Sequence, residues 1–182
     1  MLDKEEVQEA IDKFRKYVVQ QSRSNLTKQK KNASKSLYNS IKGVSKVNPN
    51  SISLYFEMEA HGVFQDKGVN GVGPAGKDRF GNPKEVVRNG QYKFGTGTGK
   101  KGGLTKGIDK WMVRRGIAPR DAKGRLISRK SLKFLIARSI YRHGIKPSMF
   151  FTKPFEVAYD RLPDELVEAY GIDIIKLYVT ND

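Results

Sequence analysis

The sequence predicts an α+β fold, a small antiparallel sheet packed by helices, with a long Gly/Lys-rich loop insertion over residues 69–104. Three observations carry that expectation. Apolar residues recur at helical spacing near the N-terminus and again beyond residue 104; residues 51–58 alternate with a period of two; and glycines crowd the stretch between Gly62 and Gly103, where large apolar residues are few. A chain of 182 residues with 37% hydrophobic content has material for one moderate core, so a single domain over residues 1–182, carrying that insertion, is expected.

The first helix is expected from about Lys4 to about Arg23. Asp3 is suited to cap it, Glu5 and Glu6 fall in the first turn where the helix dipole favours anions, and Val7, Ile11, Phe14 and Val18 follow at spacings of four, three and four. After the polar stretch Thr27–Lys35, residues Leu37, Tyr38 and Ile41 mark a short second helix ending at Gly43; the pattern fits either one continuous helix or two. Ile52, Leu54, Phe56 and Met58 then alternate with Ser51, Ser53, Tyr55 and Glu57, the period of a half-buried strand. Asn48-Pro49-Asn50 is a turn, which makes Val44–Val47 the other arm of a hairpin.

The glycine-rich stretch cannot fill a core and is expected as an extended loop that gains order on a partner. Helical patterning resumes over Thr105–Arg115, with Ile108, Trp111 and Met112 on one face, and over Ser128–Arg142, with Ser128 as N-cap and Gly144 as stop. In the latter, Leu132, Leu135, Ile136 and Ile140 form the apolar face, while Arg138 and Arg142, four apart, form a basic ridge. Trp111 and Phe134 read as core. A further helix spans Lys153–Arg161, with Pro154 in its first turn and Phe155, Ala158, Tyr159 and Leu162 facing inward; Pro163 restarts it and Gly171 ends it. Ile172–Thr180, rich in β-branched residues, reads as a final strand.

Charge is the strongest compositional feature. Lys and Arg number 35 against 19 Asp and Glu, a net charge of +16, which is lopsided for an ordinary soluble enzyme and implies an acidic partner. The span Lys77–Lys146 holds 20 basic and 4 acidic residues and so carries the whole excess. Within it Lys93, Lys100, Lys101, Lys106 and Arg114 are expected to face DNA or a protein partner. Arg115, Arg120, Lys123 and Arg125 extend the same set. There is no cysteine, so disulfides and thiolate metal sites are excluded. No apolar run approaches a membrane span, and the acidic start Met1-Leu2-Asp3-Lys4-Glu5-Glu6 is unlike a signal peptide.

No catalytic constellation stands out, and no cofactor or metal is expected. Gly95-Thr96-Gly97-Thr98-Gly99-Lys100-Lys101 departs from a Walker loop, which needs four residues between its glycines and a hydroxyl residue after the lysine. His61 and His143 are far apart and lack further ligands of metal-site spacing. Glu57 and Glu59 share a strand face with Asp66 downstream, but nothing in the sequence gathers them into a pocket.

Three stretches together resemble the tail-completion, or neck, proteins of tailed bacteriophages. They are Ser34-Lys35-Ser36-Leu37-Tyr38-Asn39-Ser40-Ile41; the run from Leu54 to Gly68, similar to that family's strand and following turn; and Ile136 to Phe151 with Lys153-Pro154-Phe155 after it, similar to its approach to the last helix. The resemblance implies a non-enzymatic virion protein at the head-tail junction, assembled in the bacterial host's cytoplasm. It further implies a homo-oligomeric ring of sixfold or twelvefold symmetry that docks to portal, adaptor or tail-tube proteins around the DNA channel. On that reading Phe150, Phe151 and Phe155 form an inter-subunit or core motif. The competing reading is a basic protein that binds nucleic acid non-specifically; a metal-dependent nuclease would instead depend on Glu57 or Asp66.

Overall fold

The computed structural model describes residues 5–48, 51–74, 76–77, 81–95, 103–120 and 123–168. It is an α+β protein of helices and small sheets. The chain divides into two compact units: unit 1 is Met1–Glu59 with Met149–Asp182, and unit 2 is Ala60–Ser148. The piece that interrupts unit 1 is therefore longer than the glycine-rich stretch.

Unit 1 is built on helix α1, Glu5–Lys28, which buries Val7, Ala10, Ile11, Phe14, Val18, Ser22 and Leu26 along one face. It runs a turn past the expected Arg23 because Leu26 prolongs the apolar stripe. Its end is a Schellman motif: Lys30, at φ 55°, donates to the Thr27 carbonyl (3.0 Å) and Lys31 to the Leu26 carbonyl (2.9 Å). A second left-handed residue, Lys35 at φ 54°, precedes helix α2, Ser36–Ser40, so the two helices are separate. Strand β1, Lys42–Asn48, pairs antiparallel with β2, Ser51–Glu57, with Val44 opposite Tyr55 and Lys42 opposite Glu57. Polar ties hold α1 to α2 and to this hairpin. Arg15 donates to the Gly43 carbonyl (3.2 Å), and Arg23 to the carbonyls of Tyr38 and Ile41 (3.1 and 3.0 Å). Asp12 accepts from the Ser45 hydroxyl (2.6 Å), and that bond, aided by Gln8 and Arg15, holds its carboxyl below the ordinary value.

Helix α6, Thr152–Tyr159, and the helical stretch 162–168 complete unit 1. Its core has two main parts and a small third one of Val7 and Ala10. Ile11, Phe14, Val18 and Leu162 pack with Phe56, Phe151 and Phe155, whose rings meet edge-on (Phe56 to Phe151, 5.4 Å; Phe14 to Phe155, 5.7 Å). Leu26, Leu37, Ile41 and Phe150 form the second. Tyr159, expected inside, is 56% exposed: it stacks on Phe155 at 5.7 Å from the solvent side. The Ser22 hydroxyl is buried without a partner among the described residues. An unmet buried hydroxyl costs about 1–3 kcal/mol, so Ser22→Ala is expected to raise stability by about 1 kcal/mol in urea unfolding; a loss of that size would mean the hydroxyl is bonded.

Unit 2 opens with helix α3, Ala60–Lys67, where the resemblance implies a turn after the strand. The helix is hidden in the sequence because its buried positions are Gly62 and Asp66, a spacing of four without an apolar signal. Gly68, at φ 75°, ends it by donating to the Phe64 carbonyl (3.0 Å). Strand β3, Val69–Asn70, then lies at the centre of a three-stranded sheet. The glycine-rich stretch that follows adds three short strands: β4, Gly76–Lys77; β5, Pro83–Lys84, antiparallel to β4; and β6, Tyr92–Lys93, parallel to β3.

Helices α4, Gly103–Arg114, and α5, Arg129–His143, pack through Ile108, Met112 and Ala137, with Leu104, Ile117, Leu132, Ile136 and Ile140 around them. Gly116 (φ 61°) closes α4 in a Schellman motif, Gly116 N–H to Val113 and Ile117 N–H to Met112. Ser128 caps α5 by accepting from the Ser131 N–H (3.1 Å). Strand β7, Gly144–Ile145, then joins the other edge of β3, antiparallel.

The glycine-rich stretch is largely loop, yet much of it is tied down within unit 2. Gly71 donates to Val87 (3.1 Å), Val87 to His143 (2.8 Å) and Gly73 to Arg142 (3.0 Å). The Arg88 guanidinium donates to the carbonyls of Gly71 and Gly73 (both 2.8 Å), and the Asn70 side chain bonds both backbone groups of Gly90 (both 2.8 Å). Residues 69–73 and 87–93 thus make several of their hydrogen bonds inside the unit. The Asp3 cap, Pro49-Asn50, Gly97, Gly99, Lys100, Lys101 and the Ile172–Thr180 strand lie outside the described residues.

Candidate nucleic-acid interface

The division into units sorts the charge. Unit 2 holds 21 basic and 5 acidic residues and carries the full +16, whereas unit 1 holds 14 of each and is neutral. A polyanion therefore meets a strong attractive field on one unit only.

Helix α4 buries Ile108 and Met112, which leaves Lys106, Lys110 and Arg114, each four residues on, as a row along its solvent face. On α5 the expected ridge of Arg138 and Arg142 is exposed. None of these five cations makes an ion pair with the described residues. The acidic side chains nearby are spoken for: Asp109 pairs with Arg129 (3.0 Å) and Lys133 (3.7 Å), and Glu85 with Lys146. Of the other sequence candidates, Lys93 is exposed on β6 and Arg115 just past α4. Arg120, Lys123 and Arg125 are exposed in the connection from α4 to α5, where Arg120 donates to the Gly124 carbonyl (2.9 Å) and forms a β-bridge with Leu126.

Two aromatic positions that read as core prove otherwise. Trp111 is 39% exposed and Phe134 58%. Leu135, expected on the apolar face of α5, is exposed too. Once Leu132, Ile136, Ala137 and Ile140 face α4, residues 134 and 135 point to the far side of the helix. The sequence offers two adjoining apolar lines, and only packing against α4 chooses between them. The phenylalanine motif falls the other way: Phe150 is fully buried, and Phe151 and Phe155 are half-buried in the core of unit 1.

The potential reactive groups fall in both units. Glu57 is exposed and Glu59 bonds the Ser36 hydroxyl, both in unit 1, while Asp66 is buried in unit 2. His61 is exposed on α3, and His143 Nδ1 lies 2.8 Å from the Ser139 carbonyl at the end of α5. Among the described residues no three His, Cys, Asp or Glu side chains gather as metal ligands, and no helix is long and apolar enough to cross a membrane. Comparison with protein-family models, with curated proteins and with solved structures finds no match.

Proposed function

We propose that this chain is a non-enzymatic structural protein of the head-tail connector of a tailed bacteriophage, forming a sixfold or twelvefold ring that docks to portal, adaptor or tail-tube proteins. The observation that carries the reading is the confinement of the whole +16 to residues 60–148 beside a neutral unit of ordinary aromatic core. Such a division suits a protein in which one part meets a polyanion and the other supplies a scaffold. Cations along helix faces screen DNA phosphates without reading bases, which is what a channel needs in order to pass any sequence. The resemblance of residues 34–41, 54–68 and 136–155 to the neck proteins supplies the location.

Two measurements test it. Five exposed cations, Lys106, Lys110, Arg114, Arg138 and Arg142, imply about five phosphate contacts. The logarithm of the duplex-DNA binding constant is then expected to fall against the logarithm of salt with a slope of about −4.5, whatever the sequence. Sequence-specific binding with a shallow slope would instead favour a dedicated nucleic-acid-binding protein. Imaging of purified particles is expected to place the chain as a ring at the head-tail junction; a solitary molecule that cleaves DNA would end the proposal.

A further inference from the structure

The exposed face of α5 carries a stripe that its packing on α4 does not account for. Lys130, Phe134, Arg138 and Tyr141 follow one another at spacings of four, four and three, on the side of the helix away from Leu132, Ile136 and Ile140. All four are exposed. At one end Phe94 packs against Tyr141, ring centroids 5.6 Å apart and tilted by 44°, which brings the segment of Lys93 alongside. At the other end Thr105, Lys130, Ser131, Lys133 and Phe134 line an open cleft of about 470 Å³.

We infer that this stripe binds single-stranded nucleic acid, with unpaired bases stacking on Phe134 and Tyr141 and the backbone held by Lys130 and Arg138. Rings and cations alternate along its length. That order is the one single-strand sites use, because every base has a face to stack and every linkage a charge to neutralise. A protein interface is arranged differently, with apolar residues at its centre and charges at its rim. Phe134 and Tyr141 are seven residues apart, about 10 Å along the helix axis, which leaves room for more than one base. The inference rests on the polyanion reading above and adds a preference to it: a duplex hides its base faces, so only unpaired strands gain from the rings.

The test is fluorescence anisotropy of the full chain with a labelled oligo(dT) and with a blunt duplex of equal length. The unpaired strand is expected to bind more tightly. Phe134→Ala and Tyr141→Ala should each weaken oligo(dT) binding about tenfold, the loss of one stacked base, and change duplex binding less than about twofold. Both side chains are exposed, so the variants are expected to fold, which circular dichroism checks. Equal losses on the two probes, or none on either, overturn the inference; duplex binding with the salt slope given above would leave the connector reading standing. Tight binding of polyglutamate that the same substitutions abolish, with oligo(dT) untouched, overturns it in favour of an acidic protein partner.

Discussion

Gly144→Ala is expected to destabilise unit 2 by about 3 kcal/mol or more, with Gly71→Ala close behind. Gly144 closes α5 and starts β7 at φ 89°, a conformation that L side chains rarely adopt. A Cβ there would overlap the Val69 carbonyl oxygen and stand 2.7 Å from the Gly71 nitrogen. Gly71 has no such backbone restriction; its Cβ would overlap the Arg142 carbonyl oxygen and lie 2.6 Å from the His143 carbonyl carbon. In both cases the clash is with backbone, which cannot rotate away. The three-stranded sheet has two residues per strand, so separating β3 from β7 removes half of its strand pairing. Thermal unfolding and amide exchange at Gly71, Gly73 and Val87 would read the loss. Gly107 is the counter-case: it sits inside α4 with nothing within 4 Å of its added Cβ, so Gly107→Ala should stabilise by about 1 kcal/mol. If Gly107→Ala and Gly71→Ala shift the melting temperature alike, close backbone approach is not what the glycines provide.

Glycine content is legible in the sequence and its meaning is not. A run that leaves no apolar residues for a core reads as a loose excursion, since composition says nothing of backbone contacts across 70 residues. Here the glycines at 71, 73, 90 and 144 let three chain segments approach closely, and Arg88 and Asn70 close the gaps with side-chain hydrogen bonds. The elements with a strong period are readable: α1 from Val7, Ile11, Phe14 and Val18, the β1–β2 hairpin from its alternation, and α5 with its Ser128 cap and Gly144 stop. α3 is not, because Gly62 and Asp66 fill the positions where a buried helix face normally shows leucine or valine.

The candidate interface is legible in part, for a related reason. Charge density is additive along a chain, so the basic span can be counted from the residues alone. Which side of a helix faces water depends on what packs behind it, and so Phe134 and Leu135 read as buried when they are exposed, while Arg138 and Arg142, too costly to bury unpaired, read correctly. The same logic applies to unit 1. Its neutrality follows from the count of the basic span, which already carries the whole +16. What the boundary at Glu59 and Met149 adds is that the N-terminal excess of cations and the C-terminal excess of anions belong to one unit.

The largest effect in unit 1 is expected from Phe150→Ala, at about 3–5 kcal/mol, a large share of the stability of an ordinary domain. Phe150 is fully buried between Leu26 at the end of α1, Leu37 on α2 and Ile41 before β1, with Val19, Tyr38 and Met58 around them. Its carbonyl also accepts from the Asn25 side chain (3.3 Å). Met149 just before it holds a left-handed φ of 50°, which turns the chain so that Phe150 enters this cluster and Phe151 the neighbouring one. Truncation would leave a cavity lined by three separate elements joined by short links, with little freedom to collapse. Tyr159→Ala provides the contrast within the same aromatic series, since its ring stacks on Phe155 from solvent and its loss should cost no more than about 1 kcal/mol. Denaturant unfolding of the two variants separates the cases. Near-equal losses would mean that Phe150 serves a surface between subunits and not the core, because an interface residue matters little to the isolated chain.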